Sequence, residues 1–179
     1  DESVLAEYRR RQRNWREARR KLAGIKKANA KTQDGTPIEL VASIELPQDI
    51  EDVQESGAVG IGLFRSEFLL LGRDTLPSED EQFEAYRTVA AGMNGLPVTI
   101  RTMDLGADKN PKWSIHGVSD NPALGLCGMR LCLAEPLLFR SQLRALLRAS
   151  HEGKVRILFP MINGVTDLKQ ALAQLDLAK

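Results

Sequence analysis

The stretch GIGLFRSEFLLLGRDTLP, residues 60–77, decides how this chain is read. Gly60 to Phe64 is small and apolar, Phe68 to Leu71 is apolar again, and between them stand Arg65, Ser66 and Glu67. A short apolar run closed by charge reads as a buried strand with polar residues at its exit. An unpaired buried charge costs on the order of 3–5 kcal/mol. The guanidinium and the carboxylate therefore need partners there.

Outward from this stretch the same alternation recurs. IELVASIE (38–45) predicts a first strand, followed by a helix over PQDIEDVQESG (47–57). AVGIGLF (58–64) is the second strand, and SEDEQFEAYRTVAAGMNG (78–95) predicts a helix opened by a Ser78–Glu81 capping box. PVTIRTMDLG (97–106) is the third strand, followed by a polar loop, NPALGLCGMRLCL (121–133), and a Pro136-initiated helix over 136–153. VRILFPMI (155–162) is the fourth, with a last helix running to Lys179. Strands apolar on both faces, alternating with helices, are the mark of parallel βα units. The fold class is α/β, either a small open sheet or the first half of a (βα)8 TIM-type barrel of about four units. The last helix meets no Gly or Pro terminator, so the expectation is the half-barrel, cut at Lys179.

Ahead of this body lies a basic head. Residues 1–31 carry 11 Lys and Arg against 4 Asp and Glu, whereas the remainder carries 14 against 20. Val4, Tyr8, Trp15, Ala18, Leu22 and Ile25 recur at helical spacing, so the head predicts one amphipathic linker helix. Asp34-Gly35-Thr36-Pro37 is a turn that closes it, dividing the chain into 1–33 and 34–179. With an acidic body behind the arginines, the basic face reads as a solvated helix face and no nucleic-acid partner is expected. No apolar run approaches the ~20 residues of a membrane span, so membrane insertion is not expected either. Cys127 and Cys132 are too few for a disulfide framework or a cysteine zinc site, which makes the cytoplasm the default compartment.

In parallel βα folds the chemistry sits at the C-terminal ends of the strands. The residues there are Ser43 and Glu45, then Arg65, Ser66 and Glu67, then Arg101, Thr102 and Asp104 with Asp108 and Lys109 shortly after, and finally Met161. Two arginines at the same depth on neighbouring strands can fork a phosphate or carboxylate. Glu67 and Asp104 could equally hold them as internal ion pairs, and spacing alone leaves both readings open.

VGIGLFRSEFLLLGRDTLPSEDEQFEAYR, VTIRTMDLGADK, NPALGL and RILFPMI resemble the phosphoenolpyruvate-binding domain of the enzyme I family, the phosphoenolpyruvate-protein phosphotransferases of bacterial sugar uptake. The resemblance runs from about Asp34 to the end, and residues 1–33 resemble the linker helix before that domain. It implies a (βα)8 barrel that binds phosphoenolpyruvate with Mg²⁺ and passes its phosphoryl group to a histidine on a mobile domain, and on to a histidine phosphocarrier protein. It also implies a homodimer through the barrel. Arg65 and Arg101 fall on the family's two early phosphoenolpyruvate-binding arginines, with Glu67 expected to orient Arg65. No catalytic residue and no metal ligand is expected among residues 1–179, since the Mg²⁺ ligands, the general acid and the phosphorylated histidine of the family lie elsewhere; the chain alone is expected to be inactive. Phosphoenolpyruvate synthase and pyruvate phosphate dikinase share the fold and the arginines, although RSEFLLLGRDTLPSEDEQF is closer to the enzyme I form.

The sequence departs from the family at one charged position. The usual Asn-Pro-x-Leu-Gly-x-Arg reads NPALGLC, with Cys127 in place of arginine. A thiol does not supply the lost charge unless Arg130 compensates, and if Cys127 marks a degenerate site the reading it favours is a non-catalytic regulatory or assembly module. Ser66 stands for a usual Thr and Ser43 for a usual Asn. His151 ends a helix and His116 lies in a loop, so neither is expected to be catalytic.

Overall fold

The computed structural model describes residues 2–26, 28–105 and 125–179. They form two compact units, residues 1–40 and 41–179. In the first, α1 (Glu2–Ala23) is the predicted head helix, with Glu2 in its first turn and Arg20 and Lys21 in its last to complement the helix dipole. No residue of α1 is buried. Lys31 and Pro37 form an antiparallel bridge around the predicted turn, where Gly35 takes φ +88°.

The second unit alternates strand and helix. Its elements are β1 (Ala42–Ile44), a 3-10 turn (Pro47–Asp49), α2 (Ile50–Ser56), β2 (Ile61–Arg65), a 3-10 turn (Ser66–Leu69), α3 (Glu79–Gly92), β3 (Val98–Arg101), α4 (Met129–Ala134), α5 (Pro136–Ala149), β4 (Val155–Leu158) and α6 (Val165–Ala178). The four strands are parallel and lie side by side in chain order. The sheet is thus the α/β arrangement of successive βα units that the periodicity predicts.

Local signals account for the element ends. Ser78 Oγ accepts the Glu81 N–H at 3.2 Å while Glu81 Oε2 accepts the Ser78 N–H at 2.8 Å, completing the predicted box at the start of α3. Pro136 opens α5, where its missing N–H costs nothing. Just before β2, a Cβ on Gly60 would stand 2.7 Å from the Pro97 carbonyl oxygen, and within it one on Gly62 would collide with the Val41 side chain. The small residues of GIGLF are thus the condition for close neighbours on both sides.

The strands are shorter than the apolar runs. Residues 38–41 are not in β1; Ile38 belongs to the first unit, where its N–H donates to the Ala30 carbonyl. β4 stops at Leu158 rather than 162, just before Phe159 and Pro160, which has no N–H to continue a ladder. Nor are both faces equally buried. Val98 and Ile100 are buried and Thr99 and Arg101 only partly so, because α3 and α5 pack on one side. There Ile61, Phe64, Val98 and Ile100 meet Tyr86, Val89, Phe139, Leu143 and Leu146, with Phe64 and Tyr86 edge to face at 6.1 Å. The end of NPALGLCGMRLCL, with Ala134, forms the short helix α4, which buries Met129, Leu131 and Cys132.

Candidate anion-binding site

β2 and β3 end at the same level. Arg65 and Arg101 are register partners across the parallel pair, each the last residue of its strand. Two guanidinium groups at one sheet edge repel, and each is held by carboxylates. Arg65 Nη1 donates to Glu45 Oε1 at 2.8 Å, a half-exposed pair reaching across from the exit of β1. Arg101 Nη2 pairs with Glu67, whose side chain is fully buried, and Arg101 Nη1 donates to Asp104 Oδ2 at 2.9 Å.

Glu67 therefore orients Arg101 and not Arg65. The chain leaves β2 directly into the Ser66–Leu69 turn, so strand alternation no longer decides where Glu67 points. The expectation that carboxylates pair with the arginines holds for Arg101 with both Glu67 and Asp104, while Arg65 uses Glu45. Arg101 Nε is buried without a hydrogen-bond partner among the described residues.

Behind the arginines lies a buried polar network that the sequence reading missed. Gln142 of α5 donates from Nε2 to Ser66 Oγ and to Tyr86 Oη, both at 3.0 Å, and accepts the Met103 N–H on Oε1 at 2.9 Å. Ser66 Oγ in turn donates to the Arg101 carbonyl at 2.6 Å. Tyr86 donates to Gln82 Oε1 at 3.3 Å, and Gln82 donates to the Pro77 carbonyl at 3.2 Å. Burial pushes the Tyr86 hydroxyl up to about 12, so it remains a neutral donor. The signal was present in PLLFRSQLRALLRA, where Gln142 follows Phe139 by three residues on the face that buries Leu143 and Leu146.

The remaining candidates are dispersed. Ser43 lies in β1 opposite Leu63, and the Thr102 N–H donates to the Leu158 carbonyl at 2.9 Å. Met161 takes φ 55° and touches Cys127, with Sγ and Sδ 3.5 Å apart. Arg130 Nη2 donates to Cys127 Sγ at 3.1 Å, because three residues at a helix start make one turn. Cys132 is buried with its thiol pushed up to about 12, first by desolvation and then by Asp104. His151 is exposed beyond the end of α5. Asp108, Lys109, His116 and Asn121 lie outside the described residues. Among the described residues no group of three or more His, Cys, Asp or Glu is placed to hold a metal, and no described helix is long and apolar enough to cross a membrane.

Comparison with known proteins bears on this geometry. The family described as PEP-utilising enzyme, PEP-binding domain, matches residues 19–179. The phosphoenolpyruvate-protein phosphotransferase of Staphylococcus carnosus (strain TM300) is 45% identical over 175 residues, 98% of this chain and 30% of that protein. That of Cupriavidus necator is 48% identical over 179 residues, again 98% of the chain and 30% of the relative. The protein of the same name from Staphylococcus epidermidis is 44% identical over 174 residues, 97% of the chain and 30% of the relative. The chain therefore spans about 30% of the length of these relatives. On the family match and the parallel βα architecture together, the chain belongs to the PEP-utilising enzymes and carries sequence of their PEP-binding domain.

Proposed function

We propose that this chain is the first half of a (βα)8 barrel in a phosphoenolpyruvate-protein phosphotransferase, and that Arg65 and Arg101 bind the phosphoenolpyruvate. The reading is carried by one observation: the two arginines are register partners at the C-terminal ends of β2 and β3. An arginine keeps its charge throughout and presents a planar fork that suits phosphoryl oxygens. Phosphoryl transfer depends largely on positioning and on stabilising charge at those oxygens. Arg101 is already aimed by Glu67 and Asp104, and Arg65 is half-exposed beside it.

In the complete protein the phosphoryl group passes from phosphoenolpyruvate to a protein histidine and then to a phosphocarrier protein serving sugar uptake. Mg²⁺ is held by residues beyond those described, the protein is a cytoplasmic homodimer, and residues 1–179 alone are inactive. The regulatory or assembly reading with a degenerate site rests on Cys127, whose sulfur accepts from the Arg130 guanidinium at 3.1 Å.

Calorimetric titration of the full-length protein with phosphoenolpyruvate and Mg²⁺ tests the assignment. Arg101→Ala should weaken binding at least tenfold, about 1.4 kcal/mol. Unchanged affinity in a folded Arg101→Ala protein would remove Arg101 from the site.

A further inference from the structure

We infer that Gln142 is a positioning residue for both arginines, acting through Ser66 and the backbone that follows each of them. The inference rests on the assignment of Arg65 and Arg101 to the phosphoenolpyruvate site. Gln142 belongs to α5, 76 residues along the chain from Ser66 and 39 from Met103. No local feature of β2 or β3 requires a polar side chain at this place.

The hydrogens are fully allotted. A primary amide has two N–H groups and one carbonyl oxygen. Gln142 spends both hydrogens on Ser66 Oγ and Tyr86 Oη, and its oxygen takes the Met103 N–H. Ser66 Oγ, having accepted from Gln142, has its own hydrogen for the Arg101 carbonyl, 2.6 Å away. Tyr86, having accepted likewise, donates onward to Gln82, which donates to the Pro77 carbonyl. Every bond has one possible direction, so neither amide can flip without losing partners.

The points of attachment are what give this network its consequence. Ser66 is the residue after Arg65, the Arg101 carbonyl belongs to the other arginine itself, and Met103 lies two residues beyond it. One buried amide therefore fixes the strand exit behind each guanidinium and the spacing between the two exits. The same residues leave the sheet: after Arg101 the chain is no longer in a strand, and Met103 has no ladder partner for its N–H other than Gln142. Gln142, Ser66, Tyr86 and Gln82 are all buried, so water does not compete for these bonds. A misplacement of reacting groups by about 1 Å can cost on the order of a hundredfold in rate. A network that sets the separation of two phosphate-binding arginines acts on that scale without touching the ligand.

The test measures phosphoenolpyruvate affinity of the folded full-length protein in the presence of Mg²⁺, with Arg65→Ala and Arg101→Ala as references. Ser66→Ala removes the link from Gln142 to Arg101 with little change of volume, and Ser66→Thr keeps the hydroxyl. Gln142→Met keeps the length of the side chain and removes all three bonds. The expected result is a five- to thirtyfold loss of affinity for Ser66→Ala and for Gln142→Met, recovery in Ser66→Thr, and a double variant no weaker than Gln142→Met alone. If Gln142→Met does not fold, the Ser66 pair decides. Should the arginine variants lose affinity while Ser66→Ala and folded Gln142→Met stay within twofold of the parent, the positioning role is overturned and the arginine assignment stands. Should the arginine variants themselves bind normally, the assignment falls and the positioning role with it.

Discussion

Arg65 and Arg101 stand side by side as register partners at the ends of two parallel strands, and each is held by carboxylates from a different direction. Glu45 meets Arg65 in a half-exposed pair, and the buried Glu67 meets Arg101. The two positive charges are therefore unequal. Arg101 is largely enclosed, its side chain 20% exposed, whereas that of Arg65 is 41% exposed.

That inequality predicts how Arg65 responds to substitution. Arg65→Lys keeps the charge and loses the planar fork. Phosphoenolpyruvate binding by the full-length protein should weaken about tenfold or more, with a thermal midpoint close to the parent because the Glu45 pair is exposed and contributes at most about 1 kcal/mol. Titration calorimetry beside a thermal melt checks both halves. Equal affinity in the lysine variant would show that Arg65 acts as a point charge and not as a fork.

Glu67 should matter for stability where Arg65 does not. Its carboxylate is buried against Arg101, and removing that charge leaves the largely enclosed guanidinium to the partly exposed Asp104 alone. Glu67→Gln is expected to destabilise the protein by about 3 kcal/mol. A urea titration reads this as a lower midpoint with an unchanged slope. A loss under 0.5 kcal/mol would mean that Asp104 alone suffices to hold Arg101.

The start of α3 carries an acid-sensitive contact. Arg73 and then the Ser78 N–H and hydroxyl hold the Glu81 carboxyl at about 2, down from an ordinary 4.5. A depressed carboxyl contributes stability that is present above 4.5 and fades as pH falls toward 2. The urea midpoint should therefore fall between pH 5 and pH 2, and Glu81→Gln should show a smaller fall over the same interval. Parallel pH profiles for the two proteins would rule the contact out as a contributor.

Cys132 should be inert. Its thiol is buried and pushed up to about 12, so at pH 8 it stays protonated and is a poor nucleophile. A thiol-specific reagent should modify Cys132 only as fast as the protein unfolds, and urea should accelerate the reaction steeply. Rapid labelling of Cys132 in the native protein would contradict its buried placement, with Sγ 3.6 Å from the Met103 carbonyl.

Much of the fold was legible in the sequence because its causes are local. Ser78 and Glu81 are three residues apart, so their mutual bonds need only the chain between them, and Pro136 opens α5 for a reason contained in its own ring. The apolar runs located all four strands but overran them. Ile38 opens the first run yet belongs to the first unit, where its N–H donates to the Ala30 carbonyl. α4 has six residues, too few turns for a period to show.

For the site, the sequence by itself determined which residue types stand at the strand exits, and hence that two arginines would lie at one end of the sheet. Strand periodicity and parallel order are enough for that. Only the tertiary structure decided the pairing of those arginines with their carboxylates. The Ser66–Leu69 turn sends Glu67 to Arg101, leaving Glu45 for Arg65. Only the tertiary structure brought Gln142 to Ser66 across 76 residues of chain. Hydrogen bonds and ion pairs depend on distances of about 3 Å and on direction, and neither follows from spacing along a sequence once the partners belong to different elements.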